Sequence, residues 1–428
     1  MKFIAAGDAL IQQRIPQNYE GMEDVKKFIG RGDVKFFNLE TTLNYVGECF
    51  ASQFSGGTYM RTNPENFKDI LNYGFNMTSF NNNHTMDFSY EGMLKTLDYI
   101  KQCDVVQSGV GRNLKEASAP AYLDTPTGRV ALISVNTTFE PCMMAGEQSR
   151  LFPGRPGING IRHSETLIVT EKDFENIKEI SESTGINEEE KLNIAQGYSK
   201  ETAPNIFEMG PLRFKLGNST GRTLEANETD VNRVLQSIYE AQLQSNYIII
   251  SIHSHEMVGD SLENVPDFLK DFAHKCIDAG AHAIIGHGPH LLRPIEEYKE
   301  RPIFYSLGDV ILQLYRVSAA PEDFYEKQGL TSDETVHTLL KKRSNNFKRG
   351  LMEEKIMTET VIPYWEMKNG KLTVLELLPV ECSNNENKSI AGLPVVAKDT
   401  KLINRLEDMS KAYGVKMEFS NGIIKCKW

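Results

Sequence analysis

Residues 281–310 read AHAIIGHGPHLLRPIEEYKERPIFYSLGDV. Ala283-Ile284-Ile285 is apolar and has the character of a buried strand, and Gly286-His287-Gly288-Pro289-His290 breaks that run abruptly. Glycine removes side-chain bulk and proline fixes φ, so the backbone turns and two imidazoles project from one strand end. Neutral imidazole is the commonest protein metal ligand, and histidines three apart in such a loop can face one point. The stretch then runs through a second strand into Gly308-Asp309. Taken alone it also fits a loop with two surface histidines, so its neighbours along the chain decide.

Working outward, apolar runs alternate with helical periodicity. Phe3–Ala6 reads as a strand ended by Gly7-Asp8, residues 22–29 as a helix, and residues 34–40 as a strand ending in the carboxylate of Glu40. A helix near 64–73 leads to a strand at 76–80 and the polar loop Asn81-Asn82-Asn83-His84, with Asp87 just beyond. After a helix near 90–102, the runs VALISV (130–135) and YIIISI (247–252) are further buried strands, the second running into His253-Ser254-His255. An amphipathic helix at 267–279 precedes the opening stretch. This alternation predicts an α/β fold with inner strands covered on both faces, and its polar residues fall just after strands, where open α/β sheets collect ligands.

Between these regions the pattern lapses. Residues 164–245 are acidic and helix-biased, with helices expected near 171–183 and 229–244, and they read as an insertion covering the site. Residues 321–348 read as helical and charged, followed by strands at 358–366 and 371–379 around Asn369-Gly370, a hairpin turn signal. A helix at 400–413 and a hairpin at Asn421-Gly422 close the chain. The simplest account is one domain over 1–428, with the insertion and a C-terminal extension of about 316–428.

Composition narrows the functions. The 428 residues are 40% hydrophobic and 25% charged, ordinary for a soluble globular protein. A net charge of -11 argues against a nucleic-acid or anionic-membrane binder, so an anionic substrate needs a local cluster of arginines. The six cysteines are scattered without a CxxC pair, which suits reduced thiols and excludes a cysteine-built zinc site. The apolar run after Lys2 is too short for a signal-peptide core and no later segment is long enough to span a bilayer, so the chain reads as cytoplasmic.

The polar residues at strand ends are Asp8, Glu40, Asn83, His84, His253, His287 and His290. Such an oxygen-and-nitrogen set without thiolate suits two divalent ions, manganese, iron or zinc. Two ions about 3.5–4 Å apart need a bridging carboxylate and can share a hydroxide that attacks in line. Glu40 is the expected bridge, with Asp8 and His290 completing one ion and Asn83, His253 and His287 the other. His84 is left free to protonate a leaving group. Each piece has an ordinary alternative: a Gly-Asp turn, a helix N-cap at the asparagines, a satisfied buried pair at His253 and His255. Their shared position at strand ends is what those alternatives do not explain.

Gly7-Asp8, Asn38-Leu39-Glu40, Asn82-Asn83-His84 with Asp87, His253, the GHGPH loop and Tyr305-Ser306-Leu307-Gly308-Asp309 together resemble the CapA family of poly-γ-glutamate capsule proteins, in the calcineurin-like metallophosphatase superfamily. Arg61-Thr62-Asn63-Pro64, Gly109-Val110-Gly111-Arg112 and residues 154–159 (GRPGIN) also look like family motifs. The resemblance, covering about 1–315, implies a four-layer α/β/β/α sandwich with metals at the strand ends. It departs in two places: superfamily phosphoesterases usually begin Asp-x-His, whereas Asp8-Ala9-Leu10 lacks the histidine, and Ser254-His255 stands where the family usually has Trp-Gly. One ion site is therefore ligand-poor, and either His253 or His255 can be the ligand.

The expected function is a metal-dependent hydrolase that uses a metal-bound hydroxide on a phosphoester or γ-glutamyl amide of an anionic small-molecule or oligomeric substrate. Arg61, Arg112, Arg155 and Arg162 are candidate anion clamps with His255 beside them, since a guanidinium fork matches phosphate and carboxylate equally. The alternative is a non-catalytic metal-binding accessory protein of poly-γ-glutamate capsule synthesis.

Overall fold

The computed structural model describes residues 1–382 and 387–428. It has two compact units, Met1–Ile161 with Val231–Trp428, and Arg162–Asp230.

The larger unit is built on two sheets. Its ten-stranded sheet runs in the order Lys416–Ser420, Ile423–Lys427, Lys371–Cys382, Glu359–Lys368, Lys2–Leu10, Val34–Leu39, Met77–Ser79, Val106–Ser108. Asp309–Leu312 also pairs with Lys2–Leu10, and Pro394–Val396 with Lys371–Cys382. The six-stranded sheet runs Ile295–Tyr298, Arg301–Phe304, Ala283–His287, Tyr247–His253, Gly128–Asn136, Ala121–Thr125.

Strand parity creates the layers, because successive side chains point to opposite faces. From Lys2–Leu10 and Val34–Leu39, Phe3, Ala5, Val34 and Phe36 join Leu132, Ile249, Ile285 and Phe304 of the six-stranded sheet in one apolar cluster. Their alternates Ile4, Ala6, Phe37 and Leu39 face the helices Met22–Ile29, Pro64–Leu71 and Ser89–Lys101 through Val25, Phe67 and Leu97. On the far side, Leu269 and Ala273 of helix Asp267–Asp278 line a crevice with Ile252 and Ile284. The result is the helix–sheet–sheet–helix order that the family resemblance implies.

Three elements differ from the expectation. Gly7-Asp8 does not end the first strand, which continues to Leu10 with irregular register on both sides of Asp8. Gly7 is required there because a Cβ would overlap the Gly308 carbonyl oxygen of the neighbouring segment. Residues 321–348 form two short helices, Glu322–Glu326 and Val336–Arg343, rather than one helical stretch. Gly329, with φ +61°, and the left-handed residues Asn345, Asn346 and Phe347 interrupt the helical path. The hairpin around Asn369-Gly370 lies inside the main sheet: Glu359–Lys368 pairs antiparallel with Lys2–Leu10, placing Trp365 opposite Phe3 with the rings stacked 5.1 Å apart.

The smaller unit carries a four-stranded sheet, Ile206–Met209, Leu212–Leu216, His163–Val169, Gly221–Ala226, with helices Glu171–Thr184 and Glu188–Ala195. The helix bias of its sequence concealed the sheet. Its strands are half-exposed and short, so their two-residue alternation is weak beside the long acidic helices.

Candidate metal centre

The site lies where parallel strands of both sheets end. Asp8 sits on Lys2–Leu10 in register with Asn38 and Asp309 on the strands to either side. Glu40 follows Val34–Leu39, and Asn83 and His84 follow Met77–Ser79. In the facing sheet His253 and His287 end adjacent parallel strands and are themselves in register. Gly288, φ +122°, lets that chain pass Ser254, whose backbone a Cβ would meet at 2.9 Å. His290 takes a left-handed φ of 58°, a conformation non-glycine residues adopt mainly where surrounding structure enforces it.

Side chains converge on Glu40. Its carboxylate is fully buried, and neither oxygen has a hydrogen-bond partner. Its Oε1 is 3.7 Å from His253 Nε2, 3.8 Å from His290 Nε2 and 4.0 Å from His84 Nε2. A buried carboxylate without donors is costly unless a cation or proton satisfies it. His253 adds a second sign of the same kind. Its Nδ1 faces His287 Nδ1 at 2.9 Å, while its Nε2 faces His255 Nε2 at 3.0 Å and Asn83 Oδ1 at 2.8 Å. A neutral imidazole carries one proton and one lone pair, so this cluster brings nitrogen donors beside the Glu40 oxygens. The donor set thus fits divalent cations on the geometry of the side chains.

Three overlapping groups have ligand atoms within 4.8 Å of one another: Asp8 with His253 and His287; Glu40 with His253 and His255; and Asp8, Glu40, His290 and Asp309. His287 Nδ1 stands 3.4 Å from Asp8, and its Nε2 is 2.7 Å from Ser251 Oγ. Asp8 receives Asn38 Nδ2 at 2.6 Å and the Gly288 amide at 2.8 Å. His84 Nδ1 donates to Asp87 at 2.7 Å, leaving Nε2 toward Glu40. Asp87 also accepts the Gly56 and Met60 amides, so its orientation is held independently of the histidine.

Burial and mutual repulsion set the electrostatics. Burial first, and then Asp309, push Asp8 up to about 7. Burial and Asp8 raise Glu40 well above the ordinary carboxylate range. Burial disfavours charge on His290, but Asp309, Glu40 and Asp8 outweigh it and lift the ring to about 10. Burial lowers His253 and His255 well below the usual imidazole value, and takes His287 down to about 3.

The predicted ligands Asp8, Glu40, Asn83, His253, His287 and His290 therefore come together, with His84 beside them. Two further residues join: Asp309, which had no assigned role, and His255, the expected alternative to His253. Asp309 accepts His290 Nδ1 at 2.9 Å and stands in register beside Asp8. His255, expected near substrate, has its Nε2 within the Glu40 group. Asp309 was visible only as a carboxylate after Gly308; parallel pairing with Asp8 is a tertiary fact.

The arginines are dispersed. Arg61 is buried, donates to Asn63 at 2.6 Å, and leaves Nε and Nη1 without partners among the described residues. Arg112 is exposed, 3.9 Å from Asp98. Arg155 donates to the Met144 carbonyl from a loop whose Gly157–Ile158 pairs with Val110–Gly111. Arg162 lies in the smaller unit, paired with Asp230 at 2.7 Å. A cavity of about 330 Å³ opens beside His84 and His290, and the guanidinium-bearing residues lining it are Arg343 and Arg349.

Fold and site define a metallophosphatase-like protein. More specifically, residues 2–314 match the model of the bacterial capsule synthesis protein PGA_cap, and the chain belongs to that family, within the metallophosphatase-like superfamily. An uncharacterized protein of Sinorhizobium fredii is 28% identical over 99% of this chain and 92% of its own length. The "PGA biosynthesis protein CapA" of Bacillus subtilis is 24% identical over 78% of this chain and 70% of its own. A "Probable polyglutamine synthesis accessory protein" of Mycobacterium tuberculosis is 22% identical over 90% and 74%. Among the described residues no helix is long and apolar enough to cross a membrane.

Proposed function

We propose that this chain is a divalent-metal-dependent hydrolase associated with poly-γ-glutamate capsule synthesis, acting on a phosphoester or γ-glutamyl amide bond of an anionic substrate. The observation that carries the reading is Glu40, a buried carboxylate without a donor, ringed by three imidazole nitrogens at 3.7–4.0 Å. Asp8, Glu40, His290 and Asp309 would hold one ion, and Glu40, Asn83, His253 and His255 or His287 the other. Bound there, divalent ions would supply Lewis-acid activation of water and of the substrate oxygen.

The chain's own residues do the rest. Asp87 accepts from Nδ1 and fixes the orientation of the His84 ring, so Nε2 faces the cavity as the proposed proton donor. As water adds to phosphorus or carbonyl carbon it gives up one proton to solvent, the leaving bond breaks, the departing oxygen or nitrogen takes the His84 proton, and His84 is reprotonated from solvent. Asp309 orients His290 and Ser251 orients His287, the outer partners that ligand imidazoles need.

The test is to measure bound metal in the purified chain and assay an aryl phosphate and γ-glutamyl oligomers with added manganese. Turnover of either is expected, with His84→Ala keeping its metal and losing about 10²–10⁴-fold in rate. Metal bound with no turnover of either substrate refutes catalysis. That result favours the accessory role named for the mycobacterial relative, to which the absence of an imidazole at Leu10 also points.

A further inference from the structure

The cavity beside the centre is walled by two parts of the chain. His84, His290 and the segment Gly56-Gly57-Thr58 form one side; Tyr315, Arg343 and Arg349 form the other. Arg343 and Arg349 lie beyond residues 2–314, so the family's shared region does not include them. What this site reads in its ligand is thus partly the work of this chain's own C-terminal segment.

The two guanidinium groups differ from the arginines that surface carboxylates neutralise. Surface arginines such as Arg129 and Arg222 are paired with carboxylates at 2.7 Å. Arg343 and Arg349 make no ion pair among the described residues. Arg343 ends helix Val336–Arg343, donates Nη1 to Thr58 Oγ1, and lays its guanidinium 5.3 Å from the Phe324 ring centroid. Those contacts orient the planar group and leave Nε and Nη2 without hydrogen-bond partners among the described residues. Burial also lowers the Arg343 pKa, and no carboxylate stands among the causes of that shift. Arg349 is exposed, and its backbone carbonyl accepts the Tyr315 hydroxyl at 3.5 Å. In a chain of net charge -11, two guanidiniums without ion pairs among the described residues, lining the cavity beside His84 and His290, are the local exception an anion requires.

We infer that Arg343 and Arg349 are the specificity-determining residues of this site, gripping an anionic group that the substrate carries beyond its scissile bond. Guanidinium forks bind carboxylate and phosphate by paired hydrogen bonds, so the shared chemistry is a planar or tetrahedral oxyanion. A substrate with a lone reacting group and no second charge leaves them idle. Arg343 has a further positioning role, since its bond to Thr58 ties helix Val336–Arg343 to the loop beside His84. The inference rests on the hydrolase reading for where the reacting bond sits, but its test reads binding.

The experiment titrates the metal-loaded full chain by calorimetry, with His84→Ala as background so that no turnover intervenes. The probes are tri-γ-glutamate, its uncharged carboxamide counterpart, and inorganic phosphate. R343Q/R349Q is expected to weaken tri-γ-glutamate, phosphate or both at least tenfold, to flatten the salt dependence, and to leave the carboxamide unchanged. Loss confined to tri-γ-glutamate identifies a carboxylate as the group gripped; loss confined to phosphate identifies a phosphate. R349Q alone, an exposed change that spares the Thr58 anchor, should give about threefold and excludes misfolding as the cause. Binding of both anions unchanged in R343Q/R349Q, equal loss for the carboxamide, or no anion binding by the parent chain overturns the inference. Arginine-dependent binding without turnover by the wild-type chain would instead refute the hydrolase reading and leave the anion grip standing.

Discussion

The candidate centre has two halves, and they bring different charge to the same carboxylate. On one side of Glu40 stand Asp8, Asp309 and His290; on the other stand His253, His255 and the Asn83 amide, with His287 between His253 and Asp8. Crowded carboxylates retain protons, as the rise of Asp8 to about 7 shows, and they charge His290. Buried imidazoles shed protons: burial takes His287 down to about 3, and burial together with its neighbouring imidazoles lowers His253 well below the usual value. An ion entering the carboxylate half must displace protons, whereas the imidazole half presents free lone pairs at neutral pH. The halves should therefore differ in metal preference, hard oxygen-loving ions on one side and zinc- or iron-like ions on the other.

Glu40 belongs to both halves, so Glu40→Gln should do most damage. Elemental analysis should show both ions lost and turnover down by about 10³-fold or more. One ion retained would show that the halves do not share this residue. Asp309→Asn strikes one half alone. Its removal should weaken the first ion about 10–100-fold by competition titration while the imidazole half keeps its own. His255→Gln should do the reverse, and if it leaves both affinities unchanged, His253 acts without it.

The halves should also respond oppositely to pH in the metal-free chain. His287 has a folded value of about 3 against 6.5 unfolded, so the stability it contributes is present above 6.5 and lost as pH falls toward 3. Asp8 has a folded value of about 7 against 3.8, so its contribution is present below 3.8 and lost as pH rises through 7. His287→Gln should flatten the acid limb of a Tm-versus-pH curve and Asp8→Asn the neutral limb, each by about 2–4 °C per kcal/mol removed. Both variants flattening the same limb would erase the distinction between the halves. The smallest effect is expected from Gly56→Ala, whose Cβ would stand 2.6 Å from Asn83 Nδ2 and 2.8 Å from the His84 ring. Turnover should drop about tenfold with both ions in place, because the displaced group is the proton donor.

Much of this centre was legible along the chain. Asp8, Glu40, Asn83, His84, His253, His287 and His290 announce themselves because each follows an apolar run, and a strand end is a local pattern. Asp309 did not, since its partner Asp8 is some three hundred residues away and joins it only by parallel pairing. Arg343 and Arg349 were hidden for a similar reason. In sequence they are two cations in a charged stretch, indistinguishable from a solvated face, and only the return of the chain over Thr58 sets them beside His84. The arginines that looked most informative, held in Gly/Pro-rich loops, turn out to bond backbone carbonyls or surface carboxylates.

The quoted stretch 281–310 illustrates the division. By itself the sequence determined the α/β layering and the strand ends that carry the candidate ligands, because periodicity and glycine or proline punctuation act over a few residues. Only the tertiary structure decided which ligands share a side of Glu40, that Asp309 stands beside Asp8, and that the C-terminal segment completes the cavity. Those are contacts between residues far apart in the chain, and they exist only once two sheets have packed face to face.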